Sequence, residues 1–192
     1  MSKKENILKG ATRLLALKGY KEASMAELAN LIGVAQGTIF YHFNTKETLF
    51  ISVLKQFQTQ LDNSFKLYEQ SSSSANGLEA LLKKVEFFLL TAGKMQDEFL
   101  LLHRHDAYEI AGVSEKCRKM LERTYSCIVD FFEQAIEIGQ KDGSIRSSEA
   151  RNTAMIIFAM VDGLVRFNTY GIYETGVLYE DFMDSIRKIT AA

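Results

Sequence analysis

The sequence predicts an all-α protein, and three observations predict it. The 192 residues contain no proline, the residue that most sharply interrupts a helix. Apolar residues recur three and four apart, as at Leu78, Leu81, Leu82, Val85 and Phe88, which is the spacing of one helical face. No segment alternates apolar with polar residues as a half-buried strand would, and there is no internal repeat.

Read in order, the periodicity gives about nine helices. The first, over about residues 5–18, turns Ile7, Leu8, Ala11, Leu14 and Leu15 inward, and Gly19 supplies its stop. Ser24 with Glu27 has the spacing of a capping box, opening a second helix whose apolar face is Met25, Leu28, Ala29 and Ile32. Gly33 ends it, and a third covers about residues 36–43. Asn44 or Thr45 caps a fourth helix running to about Gln70. The run of four serines, Ser71 to Ser74, with Ala75, Asn76 and Gly77 reads as a loop. A fifth helix starts at Leu78, and a sixth is expected as one piece over about 96–110. Ser114 caps a long seventh, ending near Gly139 to Gly143, and Ser148 caps an eighth over about 149–170, apolar on nearly every side. Leu178, Phe182, Ile186 and Ile189 mark the ninth.

Hydrophobic residues make up 47% and charged residues 24% of the chain, which is ordinary for a globular protein. At this length about 70% of the unfolded surface can be buried, so no metal or disulfide staple is needed. The longest apolar runs, such as Phe87 to Leu90 and Phe99 to Leu102, fall far short of the ~18 residues that span a bilayer. Met1-Ser2-Lys3-Lys4-Glu5-Asn6 leads straight into an amphipathic pattern without a signal segment, so no membrane association and a cytoplasmic location are expected. Cys117 and Cys127 fall on one helix about 15 Å apart, whereas a disulfide needs Cα atoms within about 7 Å; both read as small apolar residues. The net charge of −1 is uneven. Residues 1–50 hold seven Lys/Arg against four Asp/Glu, and the remainder 16 against 20. A basic head on an acidic body fits nucleic-acid contact at one end.

That head contains the informative motif. Two short helices joined by a tight turn at Gly33 are the geometry of a helix-turn-helix. Val34 packs the turn down, and Ile39 and Phe43, four apart, hold the third helix against Leu28 and Ile32. Gln36, Thr38, Tyr41 and His42 are left facing outward. Gln can make a bidentate contact to adenine, and Thr offers a hydroxyl and a methyl to thymine. Gly37 permits close backbone approach, Tyr41 and His42 can donate to phosphate, and Lys46 adds a cation at the start of the fourth helix.

The string from Gly19-Tyr20 through Ser24-Met25, Leu28-Ala29, Gly33-Val34 and Gly37-Thr38-Ile39-Phe40-Tyr41-His42-Phe43 to Lys46-Glu47-Thr48-Leu49 resembles the DNA-binding domain of the TetR (tetracycline-repressor-like) family over about 45 residues. The resemblance implies a homodimer that binds palindromic double-stranded operator DNA and is released by a small-molecule effector. It implies a DNA-binding domain over 1–47 and a ligand-binding and dimerisation domain over 48–192. Gln36, Gly37, Thr38, Tyr41, His42 and Lys46 match the family's DNA contacts. Two departures stand out: Phe40 replaces a frequent Tyr, removing one phosphate-contacting hydroxyl, and Ala35 replaces a frequent Ser or Thr cap.

The body is rich in aromatic residues and Met, which are core residues by default; the resemblance implies that some line a cavity for a mostly apolar ligand, without saying which. His103-Arg104-His105-Asp106 has a metal-like composition, but on one helix His103 and His105 point about 200° apart, and His103 with Asp106 would supply only two ligands. No metal or cofactor is expected. There is no Gly-rich phosphate loop, nucleophile elbow or paired His at i, i+4, so no enzyme is expected. The competing expectation is a helical ligand-binding or protein-interaction module without DNA binding.

Overall fold

The computed structural model describes residues 2–146 and 149–191. These form ten α-helices and one 3₁₀ turn, with no strand among them. Helix α1 is Lys3–Glu22. It starts earlier than the periodicity indicated because Ser2 and Glu5 form a reciprocal capping box at 3.2 and 2.7 Å. At Gly19 (φ 80°, ψ 172°) the helix breaks but does not stop, and one more turn follows to Glu22. Helices α2 (Met25–Ile32) and α3 (Gln36–His42) come next. Thr45 then accepts the Thr48 N–H at 3.0 Å to cap α4, Lys46–Ser71.

Asn76 caps α5, Gly77–Lys94, so Gly77 belongs to a helix rather than the loop. The single helix expected over 96–110 is two, α6 (Gln96–Leu102) and α7 (His105–Val113). That break makes ten helices where about nine were expected. It also removes the common helical axis on which the angle between His103 and His105 was reckoned. Ser114 accepts the Cys117 N–H at 3.3 Å at the start of α8, Glu115–Asp142. Helix α9 is Ala150–Thr169; Ser148, expected to cap it, lies outside the described residues. The 3₁₀ turn Thr175–Leu178 leads into α10, Tyr179–Thr190. No described helix is long and apolar enough to cross a membrane.

The chain divides into two compact units, Met1–Gln60 with Asp97–Thr124 and Leu61–Gln96 with Tyr125–Ala192. In the first, Leu28 of α2, Ile39 of α3 and Phe50 of α4 are fully buried. Tyr20 sets its ring edge-on to Phe50 at 5.2 Å, and Phe57 meets Phe99 at the same distance. Such aromatic pairs add about 0.5–1.5 kcal/mol beyond their buried area.

In the second unit α5 packs on α9 and α10, and Phe65 stacks on Phe131 at 4.1 Å. Phe182 and Ile186 of α10 face inward with Met183, whereas Leu178 and Ile189 of the expected stripe are exposed. The first turn of α5 sits directly on α8. A Cβ at Gly77 would overlap the backbone of Gly139 and Ala135, and the Gly77 N–H donates to Asp142 at 2.7 Å. Gly77→Ala is therefore expected to destabilise the protein by about 1–3 kcal/mol through overpacking, read as a lower midpoint in urea unfolding. An unchanged midpoint would mean that α5 can shift freely along α8.

Candidate nucleic-acid interface

The two short helices of the head are set by local chemistry. The Ser24 hydroxyl accepts the Glu27 N–H at 3.1 Å, satisfying one of the donors that open a helix. At the other end Gly33 takes left-handed geometry, φ 70° and ψ 38°, where a Cβ would cost energy. The Val34 N–H then reaches back to the Ala29 carbonyl at 3.0 Å. Ala35 precedes α3 in extended geometry and offers no side-chain cap. What holds this seven-residue helix is packing: Ile39 and Phe43 are buried, and α3 lies against α2.

With Ile39 and Phe43 turned in, Gln36, Gly37, Phe40 and Tyr41 form an exposed stripe at i, i+4 spacing, flanked by half-buried Thr38 and His42. Tyr41 is 83% exposed and meets the His42 ring edge-on at 5.2 Å. Gly37 has nothing within 4 Å of where a Cβ would sit. Among the described residues no packing explains a glycine there, although it costs about 1 kcal/mol of helix propensity relative to Ala. Gly37, Thr38, Tyr41 and His42 line an open concave surface whose other wall is Ser2, Lys3 and Lys4. The two lysines were not picked out from the sequence, although the Ser2–Glu5 capping box that places them is legible there. Phe40, read only as a missing hydroxyl, stands on the exposed stripe beside Gln36.

Lys46 is set apart. Its ammonium donates to the Lys21 carbonyl at 3.1 Å and lies 4.6 Å from the centre of the Tyr20 ring. It is half-buried, and desolvation lowers its pKa against a smaller upward pull from Asp106. It therefore caps the carboxyl end of α1.

The second unit contains a different kind of site. Phe65 and Phe131 stack, Tyr68 and Phe87 stack at 4.3 Å, and Phe88 meets Phe132 edge-on at 5.8 Å. Lys84 is 7% exposed. Its ammonium bonds Glu69 at 2.6 Å and the Phe131 carbonyl at 2.8 Å, and lies 4.4 Å from the Phe131 ring centre. Burial lowers its pKa, and Glu69 opposes that shift. Among the described residues no three His, Cys, Asp or Glu are grouped to hold a metal.

Four similarities accompany this geometry. Residues 7–53 match the family described as bacterial regulatory proteins, tetR family. The chain is 31% identical over 83 residues to the HTH-type transcriptional regulator YerO of Bacillus subtilis, covering 43% of this chain but only 29% of that protein. It is 24% identical over 174 residues to the HTH-type transcriptional regulator QacR of Staphylococcus aureus, covering 87% of this chain and 86% of that one. In fold it is similar to a transcriptional regulator from Saccharomonospora viridis solved in complex with choline. There the TM-score is 0.83 at 24% identity, over 98% of this chain and 97% of the other.

Proposed function

We propose that the chain is a member of the tetR family of bacterial regulatory proteins, which residues 7–53 match, and that it is a cytoplasmic, homodimeric repressor of a palindromic operator, released by a small, mostly apolar ligand. The observation that carries the DNA reading is the outward stripe of α3 on its Gly33 turn: Gln36 and Thr38 read bases, and Gly37, Tyr41 and His42 meet the phosphate backbone. Lys46 is assigned a phosphate by exchanging its bond to the Lys21 carbonyl for a charge-assisted one. We take residues 1–47 as the segment that carries the DNA contacts and 48–192 as the ligand-binding and dimerisation segment.

Dimerisation is assigned to α9. Ile156 and Phe167 are exposed on it, and Gly163 has nothing within 4 Å of a Cβ position, which leaves room for a second backbone. The aromatic cluster around Phe65, Phe88 and Phe131 supports an apolar ligand. Helix α4 has residues in both units. A ligand preferring one α4 conformation would change DNA affinity by about 5–150-fold, for a coupling of 1–3 kcal/mol. Operator DNA must then weaken ligand binding by the same factor.

Selection of bound fragments from genomic DNA tests the reading. The expected product is a palindrome whose half-sites lie about one helical turn, 34–36 Å, apart. Lys46→Ala should weaken binding to every sequence and reduce the salt dependence by about one unit of slope. Recovery of no enriched sequence, with weak binding to all duplexes alike, would overturn the assignment.

A further inference from the structure

Where α1 breaks at Gly19, carbonyls before the break and N–H groups after it lose their helical partners. Three of these groups are satisfied by one residue pair at the start of α7. The Arg104 guanidinium donates to the carbonyls of Ala16 and Leu17 at 3.1 and 3.4 Å. The Asp106 carboxylate accepts the Tyr20 N–H. Arg104 Nε also donates to Asp106 Oδ1 at 3.2 Å, so the two caps are held as one piece. The signs suit the peptide dipoles, with a cation on a carboxyl end and an anion on an amino end. A Cβ on Gly19 would overlap both charged groups, so this residue must be glycine for its φ and for the pair to fit. Lys21 pairs with Glu109 of α7 at 2.8 Å, and Ser114, just past α7, donates to Glu47 of α4 at 2.6 Å.

The short turn after Gly19 leads directly to Ser24, the cap of α2. The geometry of the break therefore sets the direction in which α2 and α3 leave α1. We propose that Arg104 and Asp106 are positioning residues for DNA reading, so that the reading unit is a composite of the N-terminal segment and α7. The grouping of Asp97–Thr124 with Met1–Gln60 in one compact unit agrees with this. The proposal rests on the assignment of α3 to DNA.

The test uses the full chain and a DNA fragment it selects, with fluorescence anisotropy at several salt concentrations. Arg104→Gln and Asp106→Asn are each expected to lower affinity about tenfold, the scale of a charge-assisted bond. The double variant should be little worse than either single one, because the pair acts as one piece. The salt slope should not change, because no phosphate contact is lost. Arg104→Lys should fail to rescue, since a point donor cannot span two carbonyls and a carboxylate. In Asp106→Asn the Tyr20 amide should exchange its hydrogen faster. Faster exchange with wild-type affinity would overturn the proposal, leaving the pair a structural cap only. A reduced salt slope would overturn it too, by making Arg104 a DNA contact. Should Arg104→Gln fail to fold, the isosteric Asp106→Asn carries the test alone. If the wild type binds no DNA, the DNA assignment falls and the composite unit with it, before any variant is compared.

Discussion

Replacing Gln36 and Thr38 together by Ala is expected to weaken binding to the selected operator by roughly a hundredfold or more, at about 1–3 kcal/mol of base discrimination per good contact. Binding to unrelated duplexes should hardly change, because that term comes from counterion release and neither residue is charged. The fold should tolerate the change: Gln36 is exposed, Thr38 half-buried, and the packing of α3 rests on Ile39 and Phe43. Competition anisotropy against operator and scrambled DNA separates the two terms. An equal loss on both would mean that α3 does not read bases and serves only as a backbone contact.

The other large effect is expected at α9. Ile156 is 53% exposed, and a charge there is harmless to a single protomer but costly inside an apolar interface. Ile156→Glu should give a folded monomer by light scattering. It should also lose on the order of 10²–10⁴-fold in operator affinity, since two linked half-site contacts become one. Ile186→Glu makes the contrasting control. Ile186 is fully buried within the protomer, so that variant should unfold rather than dissociate. A dimeric Ile156→Glu protein would place the interface on another face.

What was legible in the sequence was what neighbouring residues decide. Ser24, Gly33, Thr45 and Ser114 all cap or stop helices where the local pattern put them, because each acts on backbone within a few residues of itself. The Ser2–Glu5 box obeys the same rule and was simply passed over. The break between α6 and α7 was not legible, since the partners of Arg104 and Asp106 lie at residues 16–20, more than 80 positions away. Nor was the orientation of α10: Phe182 and Ile186 have the spacing of one face, but spacing does not say whether that face meets its own protomer or another. The buried ammonium of Lys84 likewise depends on Glu69 and Phe131, which no local pattern joins to it. In the candidate interface, the outward placement of Gln36 and Tyr41 followed from helical period alone. The inward turn of Lys46 onto Tyr20 and Lys21 required the folded α1.

The two thiols have a consequence for which signals the regulator can hear. Cys117 is buried, with burial and Glu47 pushing its thiol up to about 11, and burial, Asp62 and Asp130 push Cys127 to about 11 as well. Near neutral pH each is then a thiolate only about one part in ten thousand of the time, and the thiolate is the form that attacks peroxides and electrophiles. With their sulfur chemistry muted, these two thiols make poor sensors of oxidants.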